Sequence, residues 1–354
     1  MQLKPVVTAL SLCFLSLPVL AQTAAEPAAA AATAATAASS AAAAVTAPAT
    51  EDGEAVPQQV LVSGSRPGPG VWKVSKDDHV MWVFGTYSPL PIKMEWHARG
   101  VEKAIAQSQE YLKPPGSSIS VGWSAVAALP FLIGVKKNPD GAELKDVLPP
   151  EVYARWRPLK EVYFGSDGGI ERERPSFVAA ELSNRALKQA GLTNSNEIAR
   201  TIDKLVEKHK LKVTDATLRV EVKEPGKAVR DFKKSAMDDV PCLAKTIERL
   251  DSDLVAMRAR ANAWAIGEYD EIRKLNYDER AACRQAVLSS SLAKNQPELQ
   301  TLNERALASW VAAAEKALAT NASTFTVVHI KEILDPKGLI ATLQAKGYTV
   351  EPPK

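Results

Sequence analysis

The sequence predicts an α/β fold. Three observations carry that reading. Near residue 70, two β-rich runs are joined by a short polar turn and followed by an amphipathic helix. The chain closes on a strand, a helix and a further short strand. Between these ends lies a succession of helical stretches, read as an insertion.

Gly64 to Gly70, reading GSRPGPG, is a cluster of backbone breakers. After it, Val71-Trp72-Lys73-Val74 and the run His79 to Phe84 flank Ser75-Lys76-Asp77-Asp78, the pattern of a hairpin. Gly85-Thr86-Tyr87-Ser88-Pro89 leaves the second strand. The spacing of Met94, Ala98, Val101 and Ile105 then predicts a helix. Val121 to Val135 is strongly apolar but interrupted by Gly122, Pro130 and Gly134. It is expected to be buried as a loop or irregular helix and is too short for a second membrane span.

Asn138-Pro139-Asp140-Gly141 is a turn. Pro150 to Phe164 and Pro175 to Ala190 read as helices with proline in the first turn, where its missing N–H costs nothing. Glu197 to Lys210 is amphipathic with a basic outer face, and Lys212 to Val222 alternates like one strand. Leu243 to Tyr269 is a long helix marked by Ile247, Leu250, Leu254, Met257 and Ala261. Leu299 to Leu318 is another. Thr324 to Ile330 is a buried-type strand, Lys337 to Lys346 a helix stopped by Gly347, and Tyr348-Thr349-Val350 the last strand.

The N-terminus predicts export. Lys4 precedes an apolar run from Pro5 to Leu20, and Val19-Leu20-Ala21 offers small residues for cleavage near Ala21. A retained anchor is the alternative reading of residues 1–21. Residues 22–67, rich in Ala, Thr and Pro, lack regularly spaced large apolar residues and read as a disordered tether. Residues 68–354 form the folded domain, placed in the periplasm or outside the cell, with no transmembrane span once the signal is removed. The net charge of +3, with both signs interspersed, argues against nucleic acid as a partner.

Two cysteines remain after cleavage, Cys242 and Cys283. In an oxidising compartment such a pair reads as one disulfide, and two separate buried thiols are the other possibility.

Four histidines are present, His79, His97, His209 and His329, and none lies three or four residues from another. The first three read as packing or surface residues. His329 closes a buried-type strand, where α/β proteins place their sites. No GxSxG nucleophile motif or phosphate-binding glycine loop is present. The tryptophans read as core.

Two terminal blocks resemble the TraB/GumN family. Gly68 to Pro91 is similar to the family's opening, a Trp-bearing strand and an apolar strand leading into a GTxH turn. Asn303 to Val350 is similar to its last helix, strand and closing GLLxxLxxxGYxV. Weaker landmarks are Asn138 to Gly141 through Pro149, Arg174-Pro175, and Ala263 to Glu268. The resemblance implies an α/β fold of two related halves that bring strand-end motifs to a shared cleft. It also implies, for members related to the Tiki proteases, a divalent metal such as Mn, Co or Zn held by His and Glu from both halves.

Position by position, that set is largely replaced. Gly85 and Thr86 match, but the motif's His is Ser88. The Glu after the next strand falls near Lys113-Pro114, and a later acid near Thr217. The Arg of the family's RN pair is Leu302, although Asn303 matches. The final GxxH reads His329-Ile330-Lys331-Glu332, which leaves Glu332 and a displaced His329 as the remaining metal candidates. The expectation is therefore a non-catalytic envelope protein without a cofactor that binds a peptide, a glycan or a protein partner. A peptidase or hydrolase with a rearranged site of His329, Glu332, Ser88 and Asp335 is one alternative. An accessory role in envelope polysaccharide production is the other.

Overall fold

A computed structural model of the chain describes residues 68–94, 96, 99–120, 130–222, 224–274 and 281–353. The signal, its cleavage point, the tether, His97 and most of the apolar run from Val121 lie outside the described residues.

The hairpin forms where alternation placed it. Strand β1 (Val71–Lys76) pairs antiparallel with β2 (His79–Thr86) across a turn in which Asp77 takes a positive φ of 53°. Short β3 (Leu90–Pro91) follows, then the helix Arg99–Ala106 and β4 (Glu110–Leu112). The helix Glu197–Lys208 carries the chain from β6 (Leu192–Thr193) to β7 (Lys212–Thr214). The helix Leu302–Thr320 leads into β9 (Ser323–His329). Strand β9 slots between β2 and β4, parallel to both, and β4 lies parallel to β7. The last strand, β10 (Thr349–Glu351), returns antiparallel beside β1, giving one six-stranded mixed sheet of order β10-β1-β2-β9-β4-β7. Thr324 through Val328 are all buried, as expected for a central strand covered on both faces.

Two corrections concern the middle of the chain. Lys212 to Val222 is not one strand. It breaks at Asp215-Ala216-Thr217, where the Thr217 N–H bonds the Asp215 carboxylate at 2.9 Å. Beyond the break, β8 (Leu218–Glu221) pairs parallel with β5 (Ser117–Ser120) in a separate ribbon. The apolar run ending at Val135 is also not wholly buried, because Ile133 is 77% exposed at its described end.

Two apolar clusters organise the chain. One surrounds the sheet and takes in Trp72, Phe84, Trp264, Trp310 and Phe325. The other lies in the helical insertion and joins Leu144, Trp156, Leu182, Leu243 and Leu250. The helix Val240–Ile266 contributes to both: Leu243 and Leu250 enter the second cluster, Ala261 and Trp264 the first. Gly267 ends this helix at φ 78°, and its N–H satisfies the Trp264 carbonyl, a left-handed cap that costs glycine little. A disulfide joins Cys242 on this helix to Cys283 on the helix Ala281–Ser289. Among the described residues no helix is long and apolar enough to cross a membrane.

Candidate functional site at the strand ends

Strands β2, β9, β4 and β7 run parallel, so their carboxyl ends emerge side by side, the usual place for a site in an open α/β sheet. Thr86 and His329 are register partners at the ends of β2 and β9. Lys113 and Asp215 follow the ends of β4 and β7.

Gly85 is where the first motif and the last one meet. A Cβ there would lie 2.6 Å from Ile330 Cδ1, 2.9 Å from Ile333 Cδ1 and 3.2 Å from Trp72. The short helix Ile330–Leu334 thus packs directly on the strand, and only glycine leaves room. The Gly85 carbonyl accepts the indole N–H of Trp264 at 2.7 Å. The Lys113 carbonyl accepts that of Trp310 at 2.9 Å, and Ser309 donates to the Ala216 carbonyl at 3.2 Å. Backbone oxygens at the ends of three strands are held by helix side chains. Sequence reading assigned these tryptophans to the core alone. Their buried N–H groups, which need acceptors, were the signal that could have found this role.

The side chains expected at the site are engaged elsewhere. The Ser88 hydroxyl donates to Asn194 Oδ1 at 2.8 Å, beside the small β3–β6 pairing. His329 caps the helix it precedes, its Nδ1 accepting the Lys331 N–H at 3.2 Å. In the neutral ring this places the proton on Nε2, which then has no lone pair to offer a metal. Its ring centroid lies 6.1 Å from that of Tyr87.

Glu332 is half-buried, and burial pushes its carboxyl up from the ordinary range; Lys331 opposes this and Asp335 adds to it. The Lys113 ammonium stands 3.8 Å from Asp215 Oδ2. The Asp215 carboxyl is held down chiefly by the Thr217 hydroxyl and N–H, and then by Lys113 and Arg219 against a small burial effect.

The structure therefore pairs Thr86 with His329, and Lys113 with Asp215. Near Thr217 the carboxylate at the strand end is that of Asp215, two residues earlier, which the Thr217 N–H bonds at 2.9 Å. Leu302 and Asn303 open the helix Leu302–Thr320, with Asn303 exposed. Of the remaining histidines, His79 contacts the Leu318 carbonyl and His209 lies 4.0 Å from Glu102.

Among the described residues no group of three or more His, Cys, Asp or Glu could hold a metal ion. A divalent ion needs several converging lone pairs. The strand ends present the Lys113 ammonium beside the Asp215 carboxylate, a hydroxyl committed to Asn194, an imidazole capping its own helix and the half-buried Glu332 carboxyl. These residues do not fit Mn, Co or Zn.

Fold and site together define a mixed α/β protein whose parallel strands bring Thr86, Lys113, Asp215 and His329 to one end of the sheet. The chain belongs to the TraB/PrgY/gumN family, whose model matches residues 70–352. No curated protein and no solved structure matches the chain.

Proposed function

We propose that this chain is an exported envelope protein that keeps the family scaffold for binding a peptide, glycan or protein partner and does not hydrolyse substrate at a metal. The observation that carries this reading is the Lys113–Asp215 pair at the ends of β4 and β7. An ammonium at that position opposes entry of a divalent cation and engages the Asp215 carboxylate, whose titration point is lowered. The disulfide accords with an oxidising compartment.

The test is metal analysis of protein purified without chelators, together with peptide cleavage assays in added Mn, Co or Zn. Substoichiometric metal and no turnover are expected. Stoichiometric uptake with cleavage overturns the proposal.

A second reading, a hydrolase with a rearranged site, draws on Glu332. This half-buried carboxyl with a raised titration point lies one helical turn from His329, in the manner of a general acid. Any hydrolysis must then disappear in both His329→Ala and Glu332→Ala. Equal activity in those variants removes the reading.

A further inference from the structure

The segment Phe131–Lys137, whose first two residues are helical, runs along the helix Pro225–Lys234. Arg230 stacks its guanidinium on Phe131, 4.6 Å from the ring centroid, and Lys233 Nζ donates to the Ile133 carbonyl at 2.8 Å. A Cβ on Gly226 would touch the Phe131 ring at 3.5 Å.

Buried Arg174 locks the two segments together. It donates to the Lys137 carbonyl on one side (3.1 Å), and to the Phe232, Lys233 and Ser235 carbonyls on the other (2.9, 3.1 and 2.9 Å). The surface so formed carries six cations, Lys136, Lys137, Lys227, Arg230, Lys233 and Lys234, against Asp231 within the two segments, Glu173 beside Lys136 and Lys137, and Glu224 at the helix N-cap. At 3.6 residues per turn the four helix cations fall within about a third of the circumference. Among them stands Ile133, 77% exposed, with Leu132 and Val135 half-exposed on either side.

We infer that this face docks the chain on an anionic phospholipid bilayer. An apolar side chain raised within a ring of cations fits the interface between headgroups and acyl chains. Ile133 enters the hydrocarbon boundary while the lysines and Arg230 meet phosphate and carboxylate groups. None of the strand-end residues is needed for this, so the inference stands apart from the proposed function. A soluble polyanion would use the cations alone and leave Ile133 without a role.

The experiment is flotation of the full chain with vesicles of phosphatidylcholine, alone or with one-third phosphatidylglycerol. Residues 1–67 are the same in every variant, so differences between variants report the face. The wild type is expected to favour the anionic vesicles at least tenfold, with the preference falling steeply in high salt. Lys227→Gln with Lys234→Gln, both exposed positions, is expected to lower that partition about 25-fold, on the order of fivefold per cation. Ile133→Ser is expected to weaken vesicle binding and leave retention on dextran sulfate unchanged. The inference is overturned if the double variant floats like the wild type. It also fails if Ile133→Ser is without effect on vesicles, which would mark the face as a polyanion site, or if the wild type shows no preference for anionic lipid.

Discussion

The indole of Trp264 donates its one hydrogen to the carbonyl of Gly85, 2.7 Å away and sealed from water. This bond fixes the end of β2 to the helix Val240–Ile266. At the same residue, the missing Cβ admits Ile330 and Ile333. One position thereby joins the two family-like ends of the chain to the helix that enters the insertion.

Trp264→Phe keeps most of the apolar bulk and strands the Gly85 carbonyl. A buried acceptor without a partner costs about 1–3 kcal/mol. Thermal denaturation is expected to show a drop of roughly 5 °C on the scale of about 2–4 °C per kcal/mol for chains of this size. An unchanged midpoint would mean that another donor takes over.

Gly85→Ala tests the close approach of the short helix. The added methyl meets Ile330 and Ile333 below van der Waals distance. Overpacking of this kind costs about 1–3 kcal/mol. Pairing it with Ile330→Val is expected to recover part of the loss, by denaturant titration; strictly additive losses would show that the contact is not the cause.

Glu332→Gln reads out the electrostatics of the candidate site. Burial raises this carboxyl's titration point in the folded state. The folded form therefore favours the protonated acid. The resulting stabilisation is complete below the ordinary carboxylate range and is lost as pH rises through the raised value. Glutamine stays neutral throughout, so the variant is expected to gain stability relative to the wild type as pH rises from the ordinary carboxylate range toward neutrality. Parallel melting curves across that range would contradict the assignment.

Cys283→Ser removes the Cys242 bridge, whose partners are 41 residues apart. The chain-entropy relation assigns a loop of that length about 4 kcal/mol. Chemical denaturation of oxidised wild type, reduced wild type and variant is expected to place the last two together, well below the first. Coincidence of all three would show the bridge to be energetically idle.

Long elements were legible in the sequence because periodicity accumulates over many residues. The helices Pro150–Phe164 and Pro175–Gln189, and the central strand β9, fall within a residue or two of their expected bounds. Strands β3, β4, β5 and β6 are two to four residues long, too short for any alternation to register. Lys212 to Val222 misled because alternation resumes after the break, while the kink is set by one side chain, Asp215, bonding the Thr217 N–H.

At the strand ends, His329 was singled out by its place closing a buried-type strand, Ser88 and Glu332 by resemblance, and the cysteine pairing by compartment chemistry. The indole bonds of Trp264 and Trp310 span 179 and 197 residues, and no local pattern announces contacts of that separation. Asp215 was missed for a related reason. Its significance comes from lying across from Lys113 on a neighbouring strand.

The helix Val240–Ile266 is 27 residues long, about 40 Å at 1.5 Å per residue. Its first half is built into the insertion core and its last turn into the sheet core, with no intervening linker. Melting either cluster frays the common rod and withdraws packing from the other. The two hydrophobic clusters are therefore expected to denature together, in one cooperative transition.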